Sequence, residues 1–486
     1  MNVNLTPMIP ELTLVGGFIL LMVIDLLARR NKGTIAAIGG SIVLAIALVI
    51  TLTTHDQVGE YMFGAITLDG TTTFFRVLFC LAGIISFGMM SFRFKREAEP
   101  FLLVLASTVG MFFLAGANDV ITLFVALEMV SIPSYVLAGY LRKDPKSAEA
   151  ALKYVLFGAV STGIMLFGFA IMYGLSGTTR LPEMAAALQA SPQTDLAHML
   201  GVVLILAGIG YKIAMVPFHF WCPDVYEGSP TSITAYFSVA PKAAGFAALF
   251  RLMPVFITLD SVMGVTVLSI LTLTSAMTMT WGNLSAIWQN SVKRLLAYSS
   301  IAHAGYILMG FAAIAAFPEG EIHDLAVASV LFYLVVYMFM NFGAFLVVDM
   351  VDRNYGGDGI KWFRGLGKNS PMPALVLAIC LFSLTGIPPL AGFIGKFYLL
   401  AALVKGKMFI LPLFAIANTA VSLFYYVRIV RDMFLYDPEG DVAVQGAVPP
   451  RFGALSGTLA VVTVIPTIVL GIFWNQLAQW INLKVW

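Results

Sequence analysis

The chain has 486 residues, of which 59% are hydrophobic and 11% are charged, and its formal net charge is +2. Its mean hydropathy is +0.91, whereas about 25% of the residues of an average soluble domain are charged. This composition excludes a soluble enzyme and a nucleic-acid-binding protein, and it predicts an all-α polytopic membrane protein.

Apolar segments recur from the beginning of the chain to its end. A helix of about 20 residues crosses about 30 Å of hydrocarbon. The first apolar run is followed, not preceded, by basic residues, so we expect an uncleaved span rather than a signal peptide. We predict about fourteen spans by this criterion, at 10–28, 34–53, 73–92, 99–117, 119–141, 148–175, 198–221, 230–252, 261–282, 296–316, 324–350, 371–404, 408–435 and 453–475.

Basic residues concentrate in alternate loops between these spans. Examples are Arg29, Lys95, Arg142, Arg294 and Arg364. Loops rich in lysine and arginine face the cytoplasm in membrane proteins. The intervening loops are mostly acidic or neutral. An even number of spans then places both termini on the outer side of the membrane.

Two of the predicted spans contain prolines that should interrupt them. Pro217 lies in the seventh span, and Pro388 and Pro389 lie in the twelfth. Proline removes a backbone donor, and corresponding breaks in two halves of a membrane protein are typical of inverted repeats. Two unrelated kinks are the alternative. On the repeat interpretation we expect an N-terminal three-helix segment at 1–98, a five-helix repeat at 99–252, an inverted five-helix repeat at 261–435 and a C-terminal helix at 453–486.

Four ionisable side chains lie near the middle of long apolar runs: Glu128, Lys212, Lys242 and Lys396. An uncompensated charge in such a position costs several kcal/mol, roughly 3 or more. We expect Glu128 and Lys212 to be partners, either as a gate that opens and closes or as a static ion pair. Lys242 has no acid nearby in the sequence and is a candidate proton carrier. Lys396 is expected to be the exit-side counterpart of Lys212.

Other side chains are secondary candidates for proton transfer. Histidine titrates near neutrality, so His303 and His219 are each either a proton relay or a satisfied structural group. Lys153 follows a glutamate by four residues, which is the spacing of an ordinary helix pair. Tyr425 and Tyr426 are either channel-hydrating hydroxyls or packing residues. The sequence contains no CxxC, Walker or HExxH motif, so we expect no metal and no cofactor bound by this chain.

Three long stretches carry specific motifs: GIGYKIAMVPFHFWCPDVYEGSP at 208–230, SVKRLLAYSSIAHAGYILMG at 291–310 and SLTGIPPLAGFIGKFYLL at 383–400. These stretches resemble the antiporter-like membrane subunits of respiratory complex I. The resemblance implies broken seventh and twelfth helices. It also implies proton-transfer roles for Glu128, Lys212, Lys242, His303 and Lys396. Lysine at 396 differs from the glutamate expected of the M-type sister subunit, and Pro241 beside Lys242 departs from the family pattern.

The resemblance further implies a proton-translocating subunit of the NADH:quinone oxidoreductase in a bacterial inner membrane, without a redox site of its own. NADH, FMN, iron–sulfur clusters and quinone are then expected elsewhere in the complex. Expected partners are the M-type antiporter-like subunit, the small K-type subunit, the lateral helix of the L-type subunit and the lipid bilayer. Two alternatives are a subunit of a multi-subunit sodium/proton antiporter and a scaffold whose buried charges only hold its neighbours together.

Overall fold

The computed structural model describes residues 6–190, 196–257, 262–437 and 449–485. Helices dominate these ranges. Two short 3-10 helices occur at Thr6–Met8 and Ile360–Phe363. The α-helices are α1 (Ile9–Leu27), α2 (Lys32–Thr53), α3 (Gly70–Met90), α4 (Glu99–Ala115), α5 (Val120–Ala138), α6 (Pro145–Ser176), α7 (Leu181–Ala190), α8 (Leu196–Ile213), α9 (Trp221–Gly228), α10 (Thr231–Phe256), α11 (Val262–Ile287), α12 (Val292–Ala316), α13 (Glu321–Tyr355), α14 (Leu366–Asn369), α15 (Pro371–Thr385), α16 (Ala391–Lys405), α17 (Ile410–Leu435), α18 (Ala454–Ile472) and α19 (Trp474–Val485).

Twelve helices in the described ranges are long and apolar enough to cross a membrane. The prediction of a helical, multi-span membrane protein is therefore confirmed. Two predicted spans do not give a helix of that length. The span at 99–117 forms α4, which has 17 residues, and the span at 371–404 is divided by its break into α15 and α16, each with 15 residues.

The loop after α2 contains a short β-hairpin that the sequence analysis did not predict. Strand β1 (Gly59–Tyr61) pairs antiparallel with β2 (Ile66–Leu68), and Tyr61 lies opposite Ile66. The turn between the strands includes Gly64 with a φ of +84°, a conformation that glycine adopts without a steric penalty. Strands of three residues are too short to show the alternation from which a strand is predicted.

The described residues form two compact units. The first unit contains those within 1–214, 240–270 and 481–486, and the second contains those within 215–239 and 271–480. Helix α10 belongs to both, because its residues up to 239 are assigned to the second unit and the rest to the first.

A buried ion pair joins the first and third helices of the first unit. Arg76 on α3 is hydrogen-bonded to Glu11 on α1, and the side chains are only 4% and 2% exposed. The guanidinium carbon of Arg76 lies 5.9 Å from the ring centre of Phe112 on α4. Each charge compensates the other in a place where water cannot. Arg76 thus ties α1, α3 and α4 together.

One end of the first unit is closed by loops that are hydrogen-bonded to each other. The backbone N–H of Thr67 donates to Gly116, and that of Asn118 donates to Ala65. Arg251 on α10 donates to both carboxylate oxygens of Asp69, at 2.6 and 2.8 Å. Asp69 in turn caps α3 by accepting a bond from the backbone of this helix's first turn. The forked bridge therefore fixes α10 to the end of the hairpin.

The charge of Arg251 also sets the protonation of its partner. Burial alone would raise the pKa of Asp69, but the guanidinium charge and the hydrogen bonds more than offset it, so that the pKa lies below its ordinary value. A depressed carboxyl pKa means that the bridge stabilises the fold above the ordinary pKa. This contribution is lost as the pH falls through the depressed value.

In the second unit, α13 is the central helix. It packs against α12, α15, α16 and α18, and it is buried along most of its 35 residues. Asn341 on α13 donates a hydrogen bond to Ser238 on α10. The serine hydroxyl itself donates to the carbonyl of Ala235, so its oxygen is free to accept from the amide. This bond favours one rotation of the two helices, because a slip would take the acceptor away from the buried Asn341 N–H.

A cluster of charged residues holds α9 against α12 in the same unit. Arg294 on α12 donates to Asp224 at 2.6 Å and to Glu227 at 2.9 Å, both on α9. The neighbouring Lys293 donates to the carbonyl of Ser229 at 2.8 Å. Helix α9 has only eight residues, too few to be stable in isolation. Its position therefore depends on α12.

We expect Arg251→Gln to lower the free energy of unfolding of the first unit by about 2 kcal/mol, because Asp69 would lose its forked partner while remaining partly buried. The thermal midpoint of the purified protein at neutral pH measures this loss. The exposed Arg30 is the matched control, and Arg30→Gln should leave the midpoint unchanged. Equal midpoints for both variants would contradict the role of the bridge.

Candidate functional site

The first interruption predicted from the prolines is present. Helix α8 ends at Ile213, and the next helix begins at Trp221. Ala214 has a φ of +57°, and the peptide bond before Pro217 is cis. The backbone N–H of Val216, freed by the break, donates to Thr278 on α11 at 3.0 Å. A neighbouring helix thus supplies the partner that water cannot supply at membrane depth.

Lys212 lies in the last turn of α8, immediately before this break, and is partly buried. Its ammonium donates a hydrogen bond to the hydroxyl of Ser131 on α5. It also lies 5.4 Å and 5.8 Å from the ring centres of Tyr211 and Tyr135. Aromatic faces attract a cation electrostatically. The ammonium is therefore compensated by a hydroxyl oxygen and two rings.

Glu128, the expected partner, also lies on α5 and is half-buried. Its Oε1 accepts a hydrogen bond from Thr162 on α6 at 2.9 Å. Within the part of the chain that the structure describes, Glu128 and Lys212 form no direct salt bridge, and each is bound to a hydroxyl instead. Ser131, which binds the Lys212 ammonium, lies three residues after Glu128 on the same helix. The structure thus brings the two residues into one region of the first unit but holds their charged groups apart.

Lys242 is 3% exposed. Helix α10 continues through the preceding Pro241, whose effect on this helix the sequence left open. Gly245 lies one turn after Lys242 and packs against the end of α8. A Cβ at this glycine would meet Ile213 Cγ2 at 2.7 Å and Lys212 Cβ at 3.3 Å. The absence of a side chain there lets the helix of Lys242 approach the residue before the break.

The second predicted interruption is also present. Helix α15 ends at Thr385, Gly386 has a φ of +91°, and the peptide bond between Pro388 and Pro389 is cis. The next helix, α16, begins at Ala391. The carbonyls at the end of α15 lack partners in their own helix and carry the negative end of its dipole.

Lys396 on α16 binds to this helix end. Its ammonium donates to the carbonyls of Thr385 at 2.9 Å and Leu384 at 3.2 Å. It also lies 3.5 Å from the hydroxyl of Thr419 on α17 and 4.3 Å from the ring centre of Tyr306 on α12. The side chain is buried. Backbone carbonyls, not a carboxylate, therefore compensate this ammonium.

His303 on α12 is 2% exposed and lies among tyrosines. Its Nδ1 is 2.7 Å from the hydroxyl of Tyr333, and its Nε2 is 3.5 Å from that of Tyr426. Tyr426 is also hydrogen-bonded to Ser299 one turn before the histidine. Both ring nitrogens thus have hydroxyl neighbours, which is the arrangement that lets an imidazole accept a proton on one side and release it on the other.

Polar side chains surround both His303 and Lys396 inside the second unit, and the rings of His303 and Tyr306 lie 5.8 Å apart between the two groups. The rings of Tyr425 and Tyr426 are 4.4 Å apart, and the Tyr425 hydroxyl donates to Asn283 at 2.9 Å. The Tyr306 hydroxyl lies 3.2 Å from that of Thr419, which in turn is a neighbour of the Lys396 ammonium. The sequence pointed to the two tyrosines on α17 but not to Tyr306, Tyr333 and Thr419. Their only signal was a polar group within an apolar span.

Two other residues predicted as proton-transfer candidates, His219 and Lys153, have surroundings of a different kind. His219 is buried and contacts the rings of Phe220 and Trp281, with centre distances of 4.6 Å and 5.9 Å. Lys153 forms a 2.7 Å salt bridge with Glu149 on its own helix, and its side chain is 35% exposed. The geometry of Lys153 is that of the ordinary helix pair that its spacing indicated.

Metal-binding clusters are absent from the described residues, in which no three histidine, cysteine, aspartate or glutamate side chains are grouped to hold an ion. The three cysteines are buried free thiols. In the described part of the chain, the groups that could take part in proton transfer are thus buried charged side chains and hydroxyls.

Comparison with known sequences identifies relatives along almost the whole chain. The model of the family described as NADH:quinone oxidoreductase/Mrp antiporter, TM, matches residues 117–422. The chain is 41% identical to the NADH-quinone oxidoreductase subunit N of Anaeromyxobacter sp. (strain Fw109-5), covering 97% of this chain and 94% of the relative. It is 39% identical to the subunit N of Chlorobium chlorochromatii (strain CaD3), covering 97% and 93% of the two chains.

Solved structures show the same fold. A chain of respiratory complex I from Thermus thermophilus with bound aureothin is 30% identical, with a TM-score of 0.81 and coverage of 97% of this chain and 98% of that one. A chain of the Mrp complex from Dietzia sp. DQ12-45-1b is 22% identical, with a TM-score of 0.83 and coverage of 99% and 97%. The second likeness concerns the fold alone.

We expect Gly245→Val to lower the free energy of unfolding by about 1 to 3 kcal/mol, because the new side chain would overlap Ile213 and the stem of Lys212. The thermal midpoint of the purified protein reports this effect. Gly163→Val on α6 is the control, since a Cβ at Gly163 has nothing within 4 Å. A midpoint for Gly245→Val equal to that of the control would show that the close approach is unimportant.

Proposed function

The chain belongs to the family of the NADH-quinone oxidoreductase subunit N, the antiporter-like, proton-translocating membrane-arm subunit of respiratory complex I, and on this premise we propose how its own side chains move protons. The family resemblance found in the sequence is thereby confirmed. The protein is a multi-pass membrane protein. We place NADH oxidation and quinone reduction, with FMN, iron–sulfur clusters and quinone, in other subunits, whose energy this chain uses.

The observation that carries the proposal is the setting of Lys396. Its ammonium is compensated by the carbonyls of Leu384 and Thr385 at a helix end, so loss of its proton leaves no unpaired carboxylate behind. Bonds to dipoles are weaker than a buried ion pair, and a lysine held in this way can exchange its proton. Lys396 thus acts as the exit-side proton carrier.

His303 relays protons to Lys396 through the polar residues between them. The hydroxyls of Tyr333 and Tyr426 face its two ring nitrogens, and those of Tyr306 and Thr419 lead to the lysine ammonium. A hydroxyl both donates and accepts, so each can pass a proton while rotating about one bond. Tyr425 belongs to the same polar group through its bond to a buried amide.

In the first unit, Lys242 is the proton carrier and Glu128 with Lys212 is its gate. The packing of Gly245 against Ile213 and the stem of Lys212 supports this division, because it links the helix of Lys242 mechanically to the gate lysine. A change in the Glu128 and Lys212 charges alters the electrostatic potential at a buried lysine that has no acid near it in sequence.

We propose the finer architecture as follows. Fourteen spans, counting α4 and the broken twelfth helix, form inverted five-helix repeats at 99–252 and 261–435, with both termini on the outer side of the bacterial inner membrane. Support comes from the two broken helices, each of which has a lysine close to its break: the partly buried Lys212 before the first and the buried Lys396 after the second. The neighbours are the M-type and K-type subunits and the lateral helix of the L-type subunit.

The second candidate function is that of a subunit of a sodium/proton antiporter. The fold shared with the Mrp complex chain favours it, but the identity of 22% is lower than the 41% shared with a subunit N. Sodium-dependent transport without an accompanying NADH dehydrogenase would identify this alternative. Unchanged proton stoichiometry with altered assembly after substitution of Lys212 or Lys396 would instead indicate a scaffold.

We expect Lys242→Ala to reduce NADH-driven proton pumping by the assembled complex about tenfold, because a buried proton carrier is lost. The measurement is the proton-to-electron ratio and the turnover in proteoliposomes. The exposed Lys143 provides the control, and Lys143→Ala should pump normally. Full proton yield from Lys242→Ala would overturn the assigned role.

We expect Thr419→Val to slow coupled turnover severalfold while leaving assembly intact, because it removes the hydroxyl between Tyr306 and Lys396 without changing the volume greatly. NADH-driven pumping in proteoliposomes measures the effect. Thr458→Val, at an exposed threonine of α18 bonded only to its own helix, is the control. Equal rates for the two variants would remove Thr419 from the proposed route.

A further inference from the structure

We propose that the hydroxyls of Ser131 and Thr162 form a latch that holds the charges of Glu128 and Lys212 apart and so sets how readily their ion pair closes. The inference rests on the proposed function, in which this pair gates proton transfer. It adds two positioning residues and a regulatory step to that gate.

The latch consists of two hydrogen bonds on three helices of the first unit. Ser131 on α5 accepts a bond from the Lys212 ammonium on α8, and Thr162 on α6 donates to the Glu128 carboxylate on α5 at 2.9 Å. Glu128 and Ser131 lie three residues apart on one helix face. The serine oxygen therefore lies beside Glu128, and the Lys212 ammonium binds this oxygen instead of the carboxylate.

Each hydroxyl takes the role that its charged partner requires. Ser131 donates its own proton to the carbonyl of Leu127, which leaves its oxygen free to accept from an ammonium. Thr162 donates to Glu128, which as a carboxylate can only accept. Both bonds are thus matched to the ionised forms. The separated state keeps a cation and an anion apart without leaving either without a hydrogen bond.

When the bonds of Ser131 to Lys212 and of Thr162 to Glu128 break, neither hydroxyl is left without a hydrogen-bond acceptor. Ser131 keeps its bond to Leu127 when the ammonium departs. Thr162 follows Gly158 by four residues, the spacing at which a helical threonine turns its hydroxyl to the backbone carbonyl of the preceding turn. One salt bridge in the closed state therefore replaces two charge-assisted hydrogen bonds in the separated state. The separated and closed states compensate the two charges to a similar degree, so they differ little in free energy. A small change in the charge of Glu128 or of Lys212 therefore shifts the population from one state to the other.

The chain offers a matched control for the serine. Ser134 is buried on the same helix, three residues after Ser131, and donates to the carbonyl of Val130 at 2.7 Å. It has the same backbone bond as Ser131 but no bond to a charged side chain among the described contacts. Ser134→Ala therefore measures the cost of losing a buried helix hydroxyl, separately from the loss of the latch.

The test uses the assembled complex in proteoliposomes, with NADH:quinone turnover and the proton-to-electron ratio as readouts. We expect Ser131→Ala and Thr162→Val each to change coupled turnover by about three- to tenfold relative to Ser134→Ala, the effect of one hydrogen bond to a charged group. Ser131→Thr keeps the hydroxyl and should restore the rate. The antisymmetric stretching band of the Glu128 carboxylate, identified by its loss in Glu128→Gln, should shift in Thr162→Val.

A double-mutant comparison separates a latch from a merely structural role. With Glu128→Gln no ion pair can close, so adding Ser131→Ala should then change turnover by less than about twofold. An undiminished effect of Ser131→Ala in that background, or rates for Ser131→Ala and Thr162→Val equal to that of Ser134→Ala, would overturn the proposal. If Ser131→Ala lowers the amount of assembled complex, Thr162→Val with its infrared band decides alone.

The experiments distinguish a failure of the latch proposal from a failure of the proposed function. Full proton yield from Lys242→Ala means that the proposed function is wrong. Impaired pumping by Lys242→Ala, together with normal pumping by both hydroxyl variants, means that only the latch is wrong.

Discussion

Charges and backbone groups in hydrocarbon must find their partners inside the protein, and this constraint explains how the described residues hold their buried charges and their broken helices. Glu11 and Arg76 satisfy it as a buried ion pair. Lys396 satisfies it with the carbonyls at a helix end, and Lys212 with a hydroxyl and two aromatic rings. These solutions differ in strength. The ion pair is suited to a permanent tie, whereas bonds to dipoles permit a change of protonation.

The two broken helices apply this constraint in different ways. At the first break, the freed N–H of Val216 is satisfied by Thr278 of another helix, and Lys212 reaches away from the break to Ser131. At the second break, Lys396 itself binds the freed carbonyls of α15. The lysine at the first break is thus not bound to the broken helix and can pair with either Ser131 or Glu128. The second gives its lysine a fixed helix end with a hydroxyl and a ring beside it.

Much of this could be predicted from the sequence, because membrane helices are encoded by apolar length and their interruptions by proline. The spans and both breaks follow from those two signals. The separation of Glu128 and Lys212 could not be predicted, since a pairing rule for opposite charges takes no account of a serine that competes for the ammonium. The surroundings of His303 were equally hidden. Its hydroxyl partners Tyr333 and Tyr426 lie 30 and 123 residues away along the chain, and no local pattern connects them.

The charged cluster on α9 has a mechanical consequence. Arg294 clamps this short helix after the first break to α12, and the same α12 carries His303 nine residues further on, about 13 Å along the helix axis. An α-helix buried on all sides transmits displacement along its axis with little bending. Helix α12 is therefore the mechanical link between two polar clusters of the second unit: the charged contacts that position α9 and the tyrosine hydroxyls around His303 belong to the same buried helix.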